Sequence, residues 1–122
     1  MDNRGDARVA SSSAPVEERY HPAVRIDDLE DQTATAVTIG DWPLLVCRVG
    51  GALYAAVNRC PHANAELAGG RVRHGKIICP LHGARFDLAT GRCVGDAYPP
   101  LKVFQTRVRE SFVEVALPGP SP

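Results

Sequence analysis

Arg59-Cys60-Pro61-His62-Ala63 and Cys79-Pro80-Leu81-His82-Gly83 constrain this chain more than any other stretch of it. Each box offers one thiolate sulfur and one imidazole nitrogen, and sixteen residues separate His62 from Cys79. Two such loops can set two cysteines and two histidines around a single metal centre. On an extended loop alternate side chains project to the same side, so Cys60 and His62 can both reach a centre lying over it. Cys79 and His82 do the same across a turn. Pro61 and Pro80 stiffen the loop tips and remove an amide hydrogen each, which leaves neighbouring N–H groups to point at sulfur. The competing reading is a structural zinc with two Cys and two His. Zinc modules usually separate paired ligands by two or more residues, and Cys-x-His is uncommon among them.

Around these boxes, 122 residues make one domain with one modest core. Gly and Pro together contribute 21 residues, the sum of 11 and 10, which favours short strands and turns over long helices. Acids and bases balance at 14 each, so bulk charge argues for neither nucleic acid nor an anionic membrane as partner. The balance is local, however. Between Asn58 and Cys93 stand Arg59, Arg71, Arg73, Lys76, Arg85 and Arg92 against Glu66 and Asp87, whereas residues 1–57 carry nine acids and five bases. No apolar run has the length of a membrane span, and no basic-then-apolar leader opens the chain, so a cytoplasmic protein is expected. In a reducing compartment, two cysteines each followed closely by a histidine read as metal ligands rather than as halves of disulfides.

Periodicity sets the remainder. Residues 1–20 are polar, without a period of 2 or 3.6, and are expected to form a flexible tail; the domain is expected over 21–118, with a loose end at 119–122. His21 is expected at the surface. Strands are expected at 34–39, 44–49 and 53–57, with turns at Gly40-Asp41 and Gly50-Gly51, so that a β-hairpin delivers the chain to the first box. Cys47 sits inside an apolar strand and should behave as a small buried hydrophobe; Trp42, before Pro43, should pack at a turn. Residues 65–68 suggest a helical turn stopped by Gly69-Gly70. Pairing is expected around Gly75, a strand over 84–88, one long alternating strand over 101–109, and a final strand over 112–117 that closes a hairpin. Cys93 could approach Cys47, but both are expected to remain thiols. The fold class is therefore all-β, with both boxes at loop tips between strands.

Cys60-x-His62 with Cys79-x-x-His82, continued as Gly83-Ala84-Arg85-Phe86-Asp87-Leu88-Ala89-Thr90-Gly91, resembles the Rieske iron–sulfur proteins. The closer likeness is to the Rieske-type ferredoxins of multicomponent ring-hydroxylating (aromatic) dioxygenase systems, from about Ile26 to Leu117. The resemblance implies stacked antiparallel β-sheets with two cluster-binding loops at one end. It implies a 2Fe-2S cluster with Cys60 and Cys79 on the inner iron and His62 and His82 on the outer iron. It further implies a monomeric electron carrier and not an enzyme, taking one electron from a flavin-containing ferredoxin reductase to a terminal oxygenase, both docking near His62 and His82. Two ferric ions, two sulfides and two thiolates sum to zero, against minus two for a four-cysteine cluster. An electron therefore enters more easily, which is why histidine ligation raises the potential.

Rieske proteins of respiratory and photosynthetic complexes carry an extra, disulfide-forming cysteine in each loop, where this chain has Ala65 and Leu81. They also commonly set serine and tyrosine hydroxyls near the cluster sulfurs, where this chain has Ala84 and Phe86, neither of which donates. A potential at the low end of the Rieske range is expected. The four ligands leave no open iron position, and only His21 and His74 remain for a second iron site, so substrate chemistry belongs to another chain. Arg59 and Arg85 either steer acidic partner faces or simply solubilise the surface. The small Rieske subunit of an assimilatory nitrite reductase is the alternative within the same chemistry.

Overall fold

The computed structural model describes residues 19–61, 65–81, 83–119 and 121–122. Ten strands occur among them: β1 (Tyr20–Arg25), β2 (Thr33–Ile39), β3 (Trp42–Val49), β4 (Ala52–Val57), β5 (Arg71–Arg73), β6 (Lys76–Ile78), β7 (Arg85–Asp87), β8 (Val103–Phe104), β9 (Thr106–Arg109) and β10 (Phe112–Ala116). They pair antiparallel in three sheets, ordered β1-β10-β9, β2-β3-β4-β8 and β5-β6-β7. The complete helical elements among the described residues are single 3-10 turns at Ile26–Asp28 and Val94–Asp96. No helix among the described residues is long and apolar enough to cross a membrane.

Strand β3 is the wall between two cores, and the period of 2 explains how. Trp42, Leu44 and Val46 point to one side, into a core shared with Val113 and Val115 of β10 and with Leu29, Ala55 and Leu117. Leu45 and Cys47 point to the other, into a core with Ala56, Leu67, Ile77, Phe86, Leu88 and Leu101. A strand covered on both faces reads as a continuous apolar run, as residues 44–47 do. Burial pushes the Cys47 thiol up to about 12, so it stays neutral and packs as the hydrophobe expected of it.

Three features depart from the sequence reading. First, 20–25 forms β1, paired from Tyr20↔Ala116 to Arg25↔Phe112, although its alternation is broken by Pro22 and by a register shift between Pro22 and Val24. His21 consequently sits half-buried opposite Val115. The rest of the expected tail, residues 1–18, lies outside the described residues. Second, the long strand expected over 101–109 is two strands on different sheets. Val103 and Phe104 pair with Ala56 and Ala55, whereas Thr106–Arg109 pair with β10, and the Gln105 carbonyl accepts the Ala116 N–H at 3.0 Å between them. The alternation slips at the adjacent apolar pair Val103-Phe104, which packs against the two cores in turn, and that slip is the one local mark of the crossing. Third, the chain end is tied down: Trp42 begins β3 and its Nε1–H donates to the Gly119 carbonyl at 2.7 Å. Its ring meets Phe104 edge-on at 5.2 Å, with the Lys102 ammonium 5.3 Å from its centroid.

Candidate metal centre

The first box hangs between β4 and β5, the second between β6 and β7, and the two loops are closed by the same device. The Cys60 N–H donates to the Ala65 carbonyl at 2.7 Å, and the Cys79 N–H to the Ala84 carbonyl at 2.8 Å, each spanning five residues. The Gly83 N–H returns to the Cys79 carbonyl at 3.0 Å. Both cysteines are 1 % exposed and belong to one core cluster. Two loops that both open Cys-Pro thus deliver two thiols to the same interior. Leu81, two residues beyond Cys79, stands out at 59 % exposed. Each thiol lies at the bottom of its loop, and the second tip faces solvent.

The first loop is braced from within. Asn58, a buried polar residue at 4 % exposure, accepts the Leu67 and Ala68 N–H groups on Oδ1 at 2.8 and 2.9 Å, while its own N–H donates to the Pro43 carbonyl at 2.8 Å. These amides would open a helix, but among the described residues the only continuation is the Gly70 N–H to the Leu67 carbonyl at 2.8 Å, so the helical turn expected at 65–68 is a plain turn clamped by a side chain. Removing that acceptor orphans two interior amides, at about 1–3 kcal/mol for each unsatisfied group. Urea unfolding of Asn58→Ala is expected to show a loss of about 2–4 kcal/mol; a loss below the cost of an ordinary surface change would show that Asn58 braces nothing.

Behind the second loop, Asp87 does the equivalent work. Its Oδ1 accepts the Ala89 and Thr90 N–H groups at 2.8 and 3.1 Å, its carbonyl accepts the Gly91 N–H at 2.7 Å, and the Gly91 carbonyl accepts the Leu101 N–H at 2.7 Å. Phe86, between these bonds and the loop, is fully buried. Neither Asn58 nor Asp87 stands out in the sequence as more than a polar residue near a turn. The available signals were that Asn58 immediately precedes the first box and that Asp87 opens the Asp87-Leu88-Ala89-Thr90-Gly91 turn behind the second.

His62 and His82 lie outside the described residues, so the described half of the centre is the pair of thiols; no group of three or more metal-binding side chains gathers among the described residues. No disulfide joins any two of Cys47, Cys60, Cys79 and Cys93. His74 sits exposed in the β5–β6 turn at φ 52°, as a solvated turn residue should. Two buried thiols on matching loops, with soft sulfur donors and no bridge between them, fit one inner metal of a sulfur-ligated cluster.

The model of the Rieske [2Fe-2S] domain matches residues 19–105. The chain belongs to the Rieske [2Fe-2S] family. This Rieske domain is 34% identical over 98 residues to the anthranilate 1,2-dioxygenase ferredoxin subunit of Burkholderia cepacia, covering 79% of this chain and 90% of that one. It is 37% identical over 91 residues to ferredoxin CarAc of Metapseudomonas resinovorans, covering 73% and 85%. It also superposes on a chain of the solved complex of reduced oxygenase and oxidised ferredoxin in carbazole 1,9a-dioxygenase, with a TM-score of 0.74, 34% identity, and coverage of 80% and 93%. The all-β Rieske fold, the 2Fe-2S cofactor and the role of electron-carrying ferredoxin component, as distinct from a catalytic subunit, all agree with the sequence reading. The relatives point to oxygenase systems and give no support to the nitrite reductase alternative.

Proposed function

We propose that this Rieske ferredoxin carries one electron at a time from a flavin-containing reductase to a terminal ring-hydroxylating oxygenase in the cytoplasm, with Cys60, His62, Cys79 and His82 as the cluster ligands. The observation that carries this reading is the burial of Cys60 and Cys79 in one core by two loops closed with the same hydrogen bond. When bound, the 2Fe-2S group supplies a one-electron couple without an open coordination position. The chain's own residues do the rest. The loop hydrogen bonds hold both sulfurs in place and keep reorganisation small. Leu45, Leu67, Ile77 and Phe86 exclude water from the thiol side. The solvent-facing tip, where His82 follows the exposed Leu81, is the place at which both partners dock, each in turn. The anthranilate and carbazole oxygenase systems of the relatives support an aromatic substrate for the receiving enzyme.

Visible spectra of the freshly purified chain before and after dithionite, with iron and acid-labile sulfide assayed on the same sample, test the reading. A coloured protein that bleaches and carries equal iron and sulfide is expected; a colourless, zinc-loaded chain after anaerobic reconstitution would replace the electron carrier with a structural clip. The same sample gives the potential. With Ala84 and the buried Phe86 offering no hydroxyl to the sulfurs, the reduced cluster gains little hydrogen-bond stabilisation, and the midpoint is expected on the order of −150 mV. A redox titration with a midpoint several hundred millivolts positive would refute this.

A further inference from the structure

The sheet that carries the second loop has one strongly charged face. In β5 Val72 is buried between exposed Arg71 and Arg73; in β6 Ile77 is buried between Lys76 and Ile78; in β7 Phe86 is buried beside exposed Arg85. The register places Arg71, Ile78 and Arg85 in one row, and Arg73, Lys76 and Asp87 in the next. The rows lie two residues apart, about 7 Å, and each crosses three strands, about 10 Å. Arg73, Lys76, Ile78 and Arg85, with His74 at the turn, line a shallow concavity of about 470 Å³.

Among the described residues, charge is uncompensated there: none of Arg71, Arg73 and Arg85 enters an ion pair, and Arg92–Asp96 and Arg107–Glu114 pair elsewhere. Asp87, the one acid of the face, spends an oxygen on the Ala89 and Thr90 amides. Lys76 reaches only the His74 carbonyl, at 3.4 Å. Arg59, the other cation beside the boxes, lines a different hollow together with Glu66.

We infer that the outer face of β5-β6-β7 is a docking surface for the acidic surface of an electron-transfer protein partner. The face is continuous with the second loop, since Ile78 immediately precedes Cys79 and Arg85 follows the loop by three residues from His82. A partner seated over the exposed Leu81 would therefore meet an apolar contact rimmed on this side by four cations, the arrangement of a small interface core with a charged rim. Cations spread over two rows and three strands exceed the reach of one small anion but match an acidic protein patch, and they would fix the partner's orientation and raise its on-rate. The inference rests on the electron-carrier reading.

The test uses the full-length holoprotein and dye-labelled, oxidised flavodoxin as an acidic protein probe incapable of reducing it, with binding followed by fluorescence anisotropy. Affinity is expected to fall about tenfold between about 20 and about 200 mM salt, because exposed ion pairs are screened over that range. Arg71→Glu/Arg73→Glu is expected to weaken binding at low salt by about tenfold or more, and Arg71→Gln/Arg73→Gln by less, with Arg109→Glu on β9 unchanged. Equal binding by all variants, no binding at low salt, or full displacement by millimolar inorganic phosphate at constant ionic strength would each overturn the docking face. A chain that bleaches with dithionite yet fails these tests loses only this inference; one that does not bleach loses the electron-carrier reading itself.

Discussion

Gly91→Ala is expected to destabilise the holoprotein by about 3–5 kcal/mol, combining left-handed backbone strain with a steric collision. Gly91 has φ +83°, and a Cβ built on it falls 1.9 Å from the Leu101 carbonyl oxygen, with Val103 Cγ1 a further 3.3 Å contact. The neighbour is backbone, tied to Gly91 by its own 2.7 Å hydrogen bond, and cannot step aside without pulling β8 from β4. Gly95 provides the control: its φ is +82° but nothing lies within 4 Å of its Cβ position, so alanine there costs about 1 kcal/mol of strain alone. Urea unfolding of the two variants side by side decides the matter. Equal losses would mean that the close approach of 91 to 101 carries no weight. Gly70→Ala should resemble Gly91→Ala without the backbone term, since its Cβ would meet the Ile78 carbonyl oxygen at 1.9 Å; Ile78 precedes Cys79, so the displacement passes into the second loop.

Cys60→Ala and Cys79→Ala are expected to abolish the visible spectrum and to reduce bound iron to background, while Cys47→Ala and Cys93→Ala retain both. All four cysteines are at most 3 % exposed, so burial does not separate them. Position does. Cys60 and Cys79 sit at the bottoms of the two loops, whereas Cys47 lies mid-strand in β3 opposite Ala34 and Tyr54, and Cys93 bridges to Phe86. A ligand thiolate is formally part of the cluster and has no substitute in a methyl group, whereas a buried thiol acting as a hydrophobe loses only packing, at about 1–2 kcal/mol. His62→Ala and His82→Ala complete the series, with loss of colour expected in each. A Cys47→Ala chain without iron, or a Cys79→Ala chain with a full complement, would move the centre to other residues.

The site was the most legible part of the sequence because its chemistry depends on residue type and short spacing, which are local. Two Cys-His boxes name the donors, and the prolines between them name the loops. Short apolar runs and alternation placed β2, β3, β4, β7 and β10 approximately, since alternation between faces is also local. What escaped was whatever depends on which segments meet. In Leu101 to Arg109 only the adjacent apolar pair Val103-Phe104 interrupts the alternation, and that slip does not say which sheet each half joins; the pairing of β8 with β4 and of β9 with β10 does. Strand β1 forms because β10 offers it an edge, despite Pro22 and an interrupted pattern. Asn58 became a brace only when Leu67 and Ala68 folded over it, and Gly91 became irreplaceable only when Leu101 arrived at its α-carbon. The four cations of the outer face are scattered from 71 to 85 in the chain and become one surface only through the register of three short strands. The sequence by itself determined the all-β class and the local turns and named the four candidate ligands, through covalent chemistry and nearest-neighbour sterics. The tertiary structure alone decided the sheet partners, the braces behind the loops and the charged face, because those are properties of distances between residues remote in the chain.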